Sequence, residues 1–197
     1  MHIGVVVSNL ESKILEHLQT FKPLVSPAVV PGPLWNLPQP NIIKLNVDAA
    51  VNINGTTIAV VARNSVGHIL FGLAKRIQSN DPCYAEAVAL SWALEIAILE
   101  SFTDIIVEGE AKVCIDAVYV TPDKAPWKIQ TLMANVSVLV VSFNTCVFSL
   151  VRRNANSVAH NLAKFASLHP SVFSCNNSDS SLSIHEAWLR DLNSLSC

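Results

Sequence analysis

Three acidic residues stand where they could bind a metal ion together. Asp48 closes an alternating strand-like stretch, Glu86 interrupts an apolar helix-like stretch, and Glu110 follows an apolar run and Gly109. We take the stretch that carries Asp48 and the apolar run before Glu110 as two strands. If these strands are parallel neighbours, Asp48 and Glu110 emerge at one sheet edge, and Glu86 projects from a helix packed across that edge. Converging carboxylates repel one another unless a proton or a hard cation neutralises them. We therefore expect a Mg²⁺ or Mn²⁺ site suited to phosphodiester hydrolysis.

Each of the three residues also has an ordinary structural explanation. An aspartate such as Asp48 caps a turn, a glutamate such as Glu86 lies on a helix surface, and an acid such as Glu110 suits the start of a helix. Taken singly, each of these explanations is the better one, because structural charges outnumber catalytic charges. The order of the elements favours a shared site when the three are taken together.

Hydrophobic periodicity predicts the elements that must position these residues. Three strands separated by short turns form an antiparallel meander, because Asn54-Gly55 is a hairpin dipeptide. Asp81 and Pro82 then open a long helix as N-cap and first helical residue. Helical crossovers make the fourth and fifth strands parallel neighbours of the first. The pattern indicates an α/β fold, a mixed five-stranded sheet with helices on both faces. The predicted strands are 42–51, 56–64, 67–76, 104–109 and 143–152, and the predicted helices are 81–100, 110–120, 125–141 and 155–168.

The ends of the chain differ in composition from its middle. Residues 1–40 read as an N-terminal extension, with a short helix near 11–21 and a proline-rich linker. Residues 41–169 form the predicted domain, and residues 170–197 form a serine- and asparagine-rich tail that we expect to be flexible.

Composition excludes several classes of protein. The formal net charge of -2 gives no general attraction for nucleic acid, so any such binding needs a local basic patch. The five scattered cysteines indicate neither a disulfide framework nor a zinc site, and we expect free thiols in a reducing compartment. The uncharged stretch 129–151 is interrupted by polar residues, which favours a helix and a strand over a membrane span. We expect a soluble intracellular protein without a membrane partner, and a monomer by default.

Five stretches carry a family resemblance. They are KLNVDAA, AVVARNSVGHIL, AEAVALSWALEIA, IIVEGEAKVCIDAV and LVRRNANSVAHNLAKFA, in the family's order between residues 42 and 168. In these stretches the chain resembles the ribonuclease H type 1 domain, and more closely its plant group related to non-LTR retrotransposons. The resemblance implies a ribonuclease H-like sheet of order 3-2-1-4-5, metal-dependent hydrolysis of RNA in RNA–DNA hybrids, and a nucleic-acid partner. The segment around Trp35 is similar to the one joining such domains to upstream polymerase sequence.

The resemblance assigns roles residue by residue. Asp48 and Glu86 match the family's first-strand aspartate and first-helix glutamate, but the third acid is normally an aspartate and here is Glu110. Glutamate is longer by about 1.5 Å, whereas such sites tolerate roughly 0.5 Å. His160 stands where a fourth acid belongs, a change often found in the plant group. It would bind metal or shuttle a proton, or else pack at the helix–sheet boundary. A loop histidine of bacterial and animal members has no counterpart near 150–154.

The predicted nucleic-acid contacts are basic and amide side chains near the predicted site. We expect backbone contacts from Arg152, Arg153, Asn156 and Lys112, with Lys124 and Lys128 as further candidates, although solvated surface charges explain them equally well. Trp127 is predicted to be a core residue. Two hypotheses remain. One is a metal-dependent hybrid nuclease using Asp48, Glu86, Glu110 and His160, and the other is a catalytically impaired module that binds nucleic acid or protein.

Overall fold

A computed structural model of the protein describes residues 34–53, 55–169, 173–175 and 181–194. The predicted short helix near 11–21, most of the proline-rich linker and Asn54 of the first turn lie outside the described residues. So does much of the serine- and asparagine-rich segment.

One mixed sheet forms the centre of the domain. Its strands are β1 (Ile43–Asn52), β2 (Gly55–Arg63), β3 (Ile69–Ile77), β4 (Asp104–Gly109), β5 (Thr145–Leu150) and β6 (Phe173–Cys175). Strands β1, β2 and β3 are antiparallel, while β4 pairs in parallel with both β1 and β5. The spatial order is β5-β4-β1-β2-β3-β6. This order confirms the predicted sheet and adds the short strand β6 beside β3.

Helices cover both faces of the sheet, as predicted. Their bounds are α1 (Pro82–Leu99), α2 (Lys112–Val118), α3 (Gln130–Val140), α4 (Ser157–Ser167) and α5 (Leu182–Asn193). Leu45 and Val47 of β1 face a core shared with α1, α2 and α3. The alternate residues Asn46 and Asp48 are directed to the other face, because successive side chains of a strand point to opposite sides. That second face packs against α4 and α5.

The start of α1 follows the predicted capping chemistry. The Asp81 side chain accepts hydrogen bonds from the backbone N–H groups of Cys83 and Tyr84, and Pro82 occupies the first helical turn. By length and apolar composition alone α1 could cross a membrane. Half of it is buried inside the domain, however, and the core helix of a globular domain meets the same criteria.

The segment before α3 differs from the prediction. The chain forms two short 3-10 turns, Pro122–Lys124 and Trp127–Ile129, before α3 begins at Gln130. Trp127 lies in the second turn with 78% of its surface exposed, so the prediction that it is a core residue was wrong. Ile129, two residues later, is buried in its place.

Residues on both sides of 41–169 pack into the same domain. Arg63 is completely buried, and its guanidinium contacts Asp191 of α5 at 2.6 Å. The Trp35 ring is also buried and lies 3.6 Å from the Arg63 guanidinium carbon. The described part of the tail is therefore an ordered strand and helix rather than a flexible extension. A buried guanidinium needs a counterion, and α5 supplies it.

The tight turn between β2 and β3 contacts both the segment around Trp35 and helix α5. Gly67 has a φ of +80°, and a Cβ there would lie 2.5 Å from Leu192 Cδ2 and 3.6 Å from the Trp35 ring. The Trp188 indole N–H donates to the Gly67 carbonyl at 2.7 Å. Glycine is favoured here by its positive φ, whereas the Leu192 side chain could shift to relieve the close contact.

Candidate active site

The three predicted carboxylates line one open cavity of about 380 Å³. Asp48 lies on β1, Glu110 directly follows β4, and Glu86 projects from the second turn of α1. The parallel register between β1 and β4 explains why Asp48 and Glu110 meet, since Asn46 and Glu108 are Cα partners two residues earlier. The fold therefore brings together the acids that the sequence singles out.

Burial and mutual repulsion hold these carboxyl groups towards their protonated forms. Asp48 is only 2% exposed, and desolvation raises its pKa, although His160 and Arg153 oppose that effect. Desolvation, followed by the charges of Asp48 and Glu110, raises the pKa of Glu86 to about 8. Desolvation and the charge of Asp48 also raise the pKa of Glu110. A set of acids with pKa values displaced in this way is typical of a functional site.

Two basic side chains already contact the acids. His160 Nδ1 lies 2.9 Å from Asp48 Oδ2, and Arg153 Nε lies 2.8 Å from Glu110 Oε2. Arg153 also contacts the imidazole of His160. The His160 position on α4 thus faces the first carboxylate directly. Arg153, predicted as a phosphate contact, forms an ion pair with Glu110, and its side chain is exposed.

Asn156 differs most from its predicted role. Its side chain is completely buried, and its amide nitrogen donates to the Val47 carbonyl at 2.8 Å and to Glu110 Oε1 at 3.2 Å. A buried side chain in this position fixes the carboxylate of Glu110 against β1 rather than contacting a nucleic acid. The prediction of Asn156 as a surface contact therefore does not fit the structure.

The other predicted cations lie around or beyond the cavity. Lys112 lines it from α2 and pairs with Asp116 at 2.5 Å. Lys128 pairs with Asp81 at 2.5 Å, beside the start of α1. Arg152 and Lys124 are exposed. Their exposure leaves these four side chains available to a ligand.

Beneath the acids lies a buried charged network that sequence reasoning missed. Glu108 Oε1 accepts from Lys44 Nζ at 2.8 Å, and its Oε2 accepts from Asn46 Nδ2 at 2.9 Å. Arg63 Nη2 donates to Asn46 Oδ1 at 2.7 Å, and Arg63 continues to Asp191. The only sequence signal is the polar alternation Lys44, Asn46, Asp48 along a strand. That alternation alone predicts a solvent-exposed face. In the structure α4 and α5 cover this face, so the polar side chains are buried.

The donor set fits a hard divalent cation in its chemistry. Carboxylate oxygens are the ligands that Mg²⁺ and Mn²⁺ prefer, and a cation would relieve the repulsion that raises the Glu86 pKa. Within the described residues, no group of three or more His, Cys, Asp or Glu side chains is arranged closely enough to hold an ion. At Glu110 a metal ion would compete with the positive charge of Arg153 for the same carboxylate.

A family comparison decides the classification of the domain. The model of the family described as reverse transcriptase-like matches residues 46–166, which include all three acids and His160. The chain belongs to this family. The matched region is a ribonuclease H-like domain, as the resemblance implied, and its sheet has the predicted order.

Solved structures share the fold of this reverse transcriptase-like domain. The RNase H1 of Halobacterium salinarum NRC-1 is 23% identical with a TM-score of 0.59, and the comparison covers 64% of this chain and 97% of that one. The N-terminal RNase H domain of rv2228c from Mycobacterium tuberculosis is 19% identical with a TM-score of 0.58, covering 64% and 92%. LC11-RNase H1 in complex with an RNA/DNA hybrid is 19% identical with a TM-score of 0.55, covering 62% and 94%. No curated protein matches the chain.

Proposed function

We propose that this domain binds RNA–DNA hybrids and hydrolyses their RNA strand with Mg²⁺ or Mn²⁺. The observation that carries the proposal is the convergence of Asp48, Glu86 and Glu110 on one cavity, with the Glu86 pKa raised to about 8. The family membership and the fold of RNase H1 structures, one of them solved with an RNA/DNA hybrid, support it.

The residues of the chain would have three roles, which are metal binding, proton transfer and phosphate contact. Asp48, Glu86 and Glu110 would hold the ions, which when bound polarise the phosphodiester and activate water. His160, beside Asp48, would hold or release a proton at Nδ1. The exposed cations Lys112, Arg152, Lys124 and Lys128 would contact backbone phosphates, and hybrid recognition would then follow backbone shape rather than base sequence.

The ion pair between Arg153 and Glu110 favours a second candidate function. Here the longer glutamate of this chain is held by a cation instead of being free for a metal ion. A domain that keeps this pair would bind nucleic acid or a protein partner without cutting it. The two functions differ in whether the natural protein cuts or only a variant with the shorter aspartate at residue 110 does.

Cleavage of a labelled RNA–DNA hybrid tests both candidates. We would compare the natural protein, Glu110→Asp and Asp48→Asn, first with Mg²⁺ and then with Mn²⁺. The nuclease proposal expects cleavage by the natural protein and a loss of about 100-fold or more in Asp48→Asn. Asp123→Asn, which neutralises an exposed carboxylate outside the cavity, is the matched control and should cut normally.

Each outcome selects one function. Cleavage by the natural protein supports the nuclease. Cleavage by Glu110→Asp alone supports the impaired module, because the site then lacks only a side chain of the right length. If no variant cuts, although each still binds the hybrid, the nuclease proposal fails and the binding function stands.

A further inference from the structure

Two cysteine side chains face each other in the wall of the acidic cavity. Cys83 Sγ and Cys114 Sγ lie 3.9 Å apart, and the Cys114 thiol donates to the Cys83 carbonyl at 3.3 Å. Cys83 is in the first turn of α1, three residues before Glu86, and Cys114 is in α2, four residues after Glu110. Both thiols line the cavity together with these acids. No disulfide joins the two side chains.

The two thiols differ in their access to solvent. Cys83 is half-buried, whereas Cys114 is completely buried. Desolvation and the neighbouring Cys83 raise the pKa of the Cys114 thiol. A small reagent therefore meets Cys83 first. Cys114 then lies within reach of whatever forms on Cys83.

We infer that Cys83 and Cys114 form a reversible thiol–disulfide site that reacts with low-molecular-weight disulfides and thereby controls the acidic cavity. In the first step Cys83 Sγ attacks one sulfur of the reagent, the reagent's S–S bond breaks, and the released thiol takes up a proton. Cys114 Sγ then attacks Cys83 Sγ, the mixed disulfide breaks, and a second thiol leaves with the Cys114 proton. Two electrons pass from the cysteine pair to the reagent, which is reduced to two thiols.

Formation of the bond would change the geometry of the cavity. The two sulfur atoms must approach from 3.9 Å to about 2.05 Å, the length of a disulfide bond. The start of α1 and the start of α2 are thereby drawn together, and these helices flank Glu86 and Glu110. Catalytic constellations tolerate displacements of roughly 0.5 Å. Oxidation should therefore weaken metal binding and slow cleavage, the latter effect resting on the proposed function.

Mass spectrometry tests the bond independently of any activity. The folded protein is incubated with oxidised glutathione and then alkylated under denaturing conditions. We expect the loss of two hydrogens and a linked peptide pair containing Cys83 and Cys114, both reversed by dithiothreitol. Cys83→Ser should abolish the link, whereas Cys146→Ala, which removes a buried thiol of β5, should leave it intact. Absence of this link in the natural protein, or a link through other cysteines, overturns the inference.

Metal affinity and cleavage then test the control of the cavity. We expect the oxidised protein to bind Mn²⁺ at least about tenfold more weakly and to cut the hybrid at least about tenfold more slowly than the reduced protein. Cys83→Ser should be insensitive to glutathione in both assays. Equal Mn²⁺ affinity of the two forms overturns the inference. If the reduced protein does not cut but the link forms and Mn²⁺ affinity falls, the proposed function fails while the inference stands.

Discussion

Asn46 and Glu108 are cross-strand partners whose side chains also bond, with Asn46 Nδ2 donating to Glu108 Oε2 at 2.9 Å. This buried pair lies two residues before Asp48 on one strand and two residues before Glu110 on the other. The same hydrogen bond therefore holds β1 in register with β4. It also holds Asp48 and Glu110 at matching positions along the two strands. The sheet edge that carries Asp48 and Glu110 is positioned by a hydrogen bond inside the domain.

Replacing Asn46 should disturb both stability and the cavity. Asn46→Ala leaves Glu108 and Arg63 each short of a buried partner, so we expect a loss of about 3 kcal/mol in the free energy of unfolding. Urea denaturation measures this loss. Gln78→Ala, which removes an exposed amide just after β3, is the control and should change the free energy of unfolding by less than about 0.5 kcal/mol. Equal effects of the two variants would contradict the stabilising role of the Asn46 hydrogen bonds.

The raised pKa of Glu86 predicts how stability depends on pH without divalent ions. Between the ordinary glutamate pKa of 4.5 and the folded value of about 8, the unfolded chain ionises Glu86 and the folded chain does not. Stability should therefore be highest below pH 4.5 with respect to this group, fall as the pH rises to about 8, and level off above it. Glu86→Gln should remove this component, amounting to a few kcal/mol. Urea midpoints of both proteins at pH 5 and pH 9 would measure it, and parallel pH dependences would contradict the shift.

Arg153 should act as a counterion that competes with a metal ion. Arg153→Met frees Glu110 and removes a positive charge from the cavity, so Mn²⁺ should bind about fivefold more tightly, in line with roughly 1 kcal/mol for a solvent-screened charge pair. Arg153→Lys keeps the charge and should change the affinity little. Calorimetric titration measures both variants. Lys164→Met, which removes an exposed charge from α4, is the control, and an equal gain there would show that net charge alone is responsible.

Asp191 should be required for the stability of the whole domain. Asp191→Leu leaves the buried Arg63 without its counterion, which costs about 3–5 kcal/mol. The double variant Arg63→Met with Asp191→Leu removes both charges and should recover most of this loss. Glu186→Leu changes an exposed acid of the same helix and serves as the control in thermal or urea unfolding. A failure of the double variant to recover stability would contradict the counterion role.

Local patterns were sufficient to predict much of this fold. The alternation along β1 assigned Asp48 to one face, and the Asp81-Pro82 pair located the start of α1. Crossover rules then gave the parallel pairing of β4 with β1 and β5. The three acids were predicted because Asp48 lies on β1, Glu86 lies early in α1 and Glu110 directly follows β4, and the order of these elements is encoded locally.

Contacts between distant residues were not predictable in this way. The tail is rich in serine and asparagine, so its composition did not predict α5. This helix is stabilised by burial of Ile184 and Ala187 and by the ion pair of Asp191 with Arg63. Arg153 was predicted as a phosphate contact, and that prediction did not include an ion pair with Glu110. Its attachment to Glu110 depends on how the turn before α4 approaches the sheet. The Cys83–Cys114 approach likewise follows from the packing of α1 against α2.

The pairing of Arg63 with Asp191 also determines when the protein can finish folding during synthesis. Arg63 lies 128 residues before its counterion, and chains emerge from the ribosome at about 5–20 residues per second. Synthesis of the residues between Arg63 and Asp191 therefore takes several seconds or more. During that time the strands β1, β2 and β3 can pair, but the Arg63 guanidinium cannot yet form its ion pair with Asp191. Arg63 can therefore reach its buried ion pair only after α5 has left the ribosome.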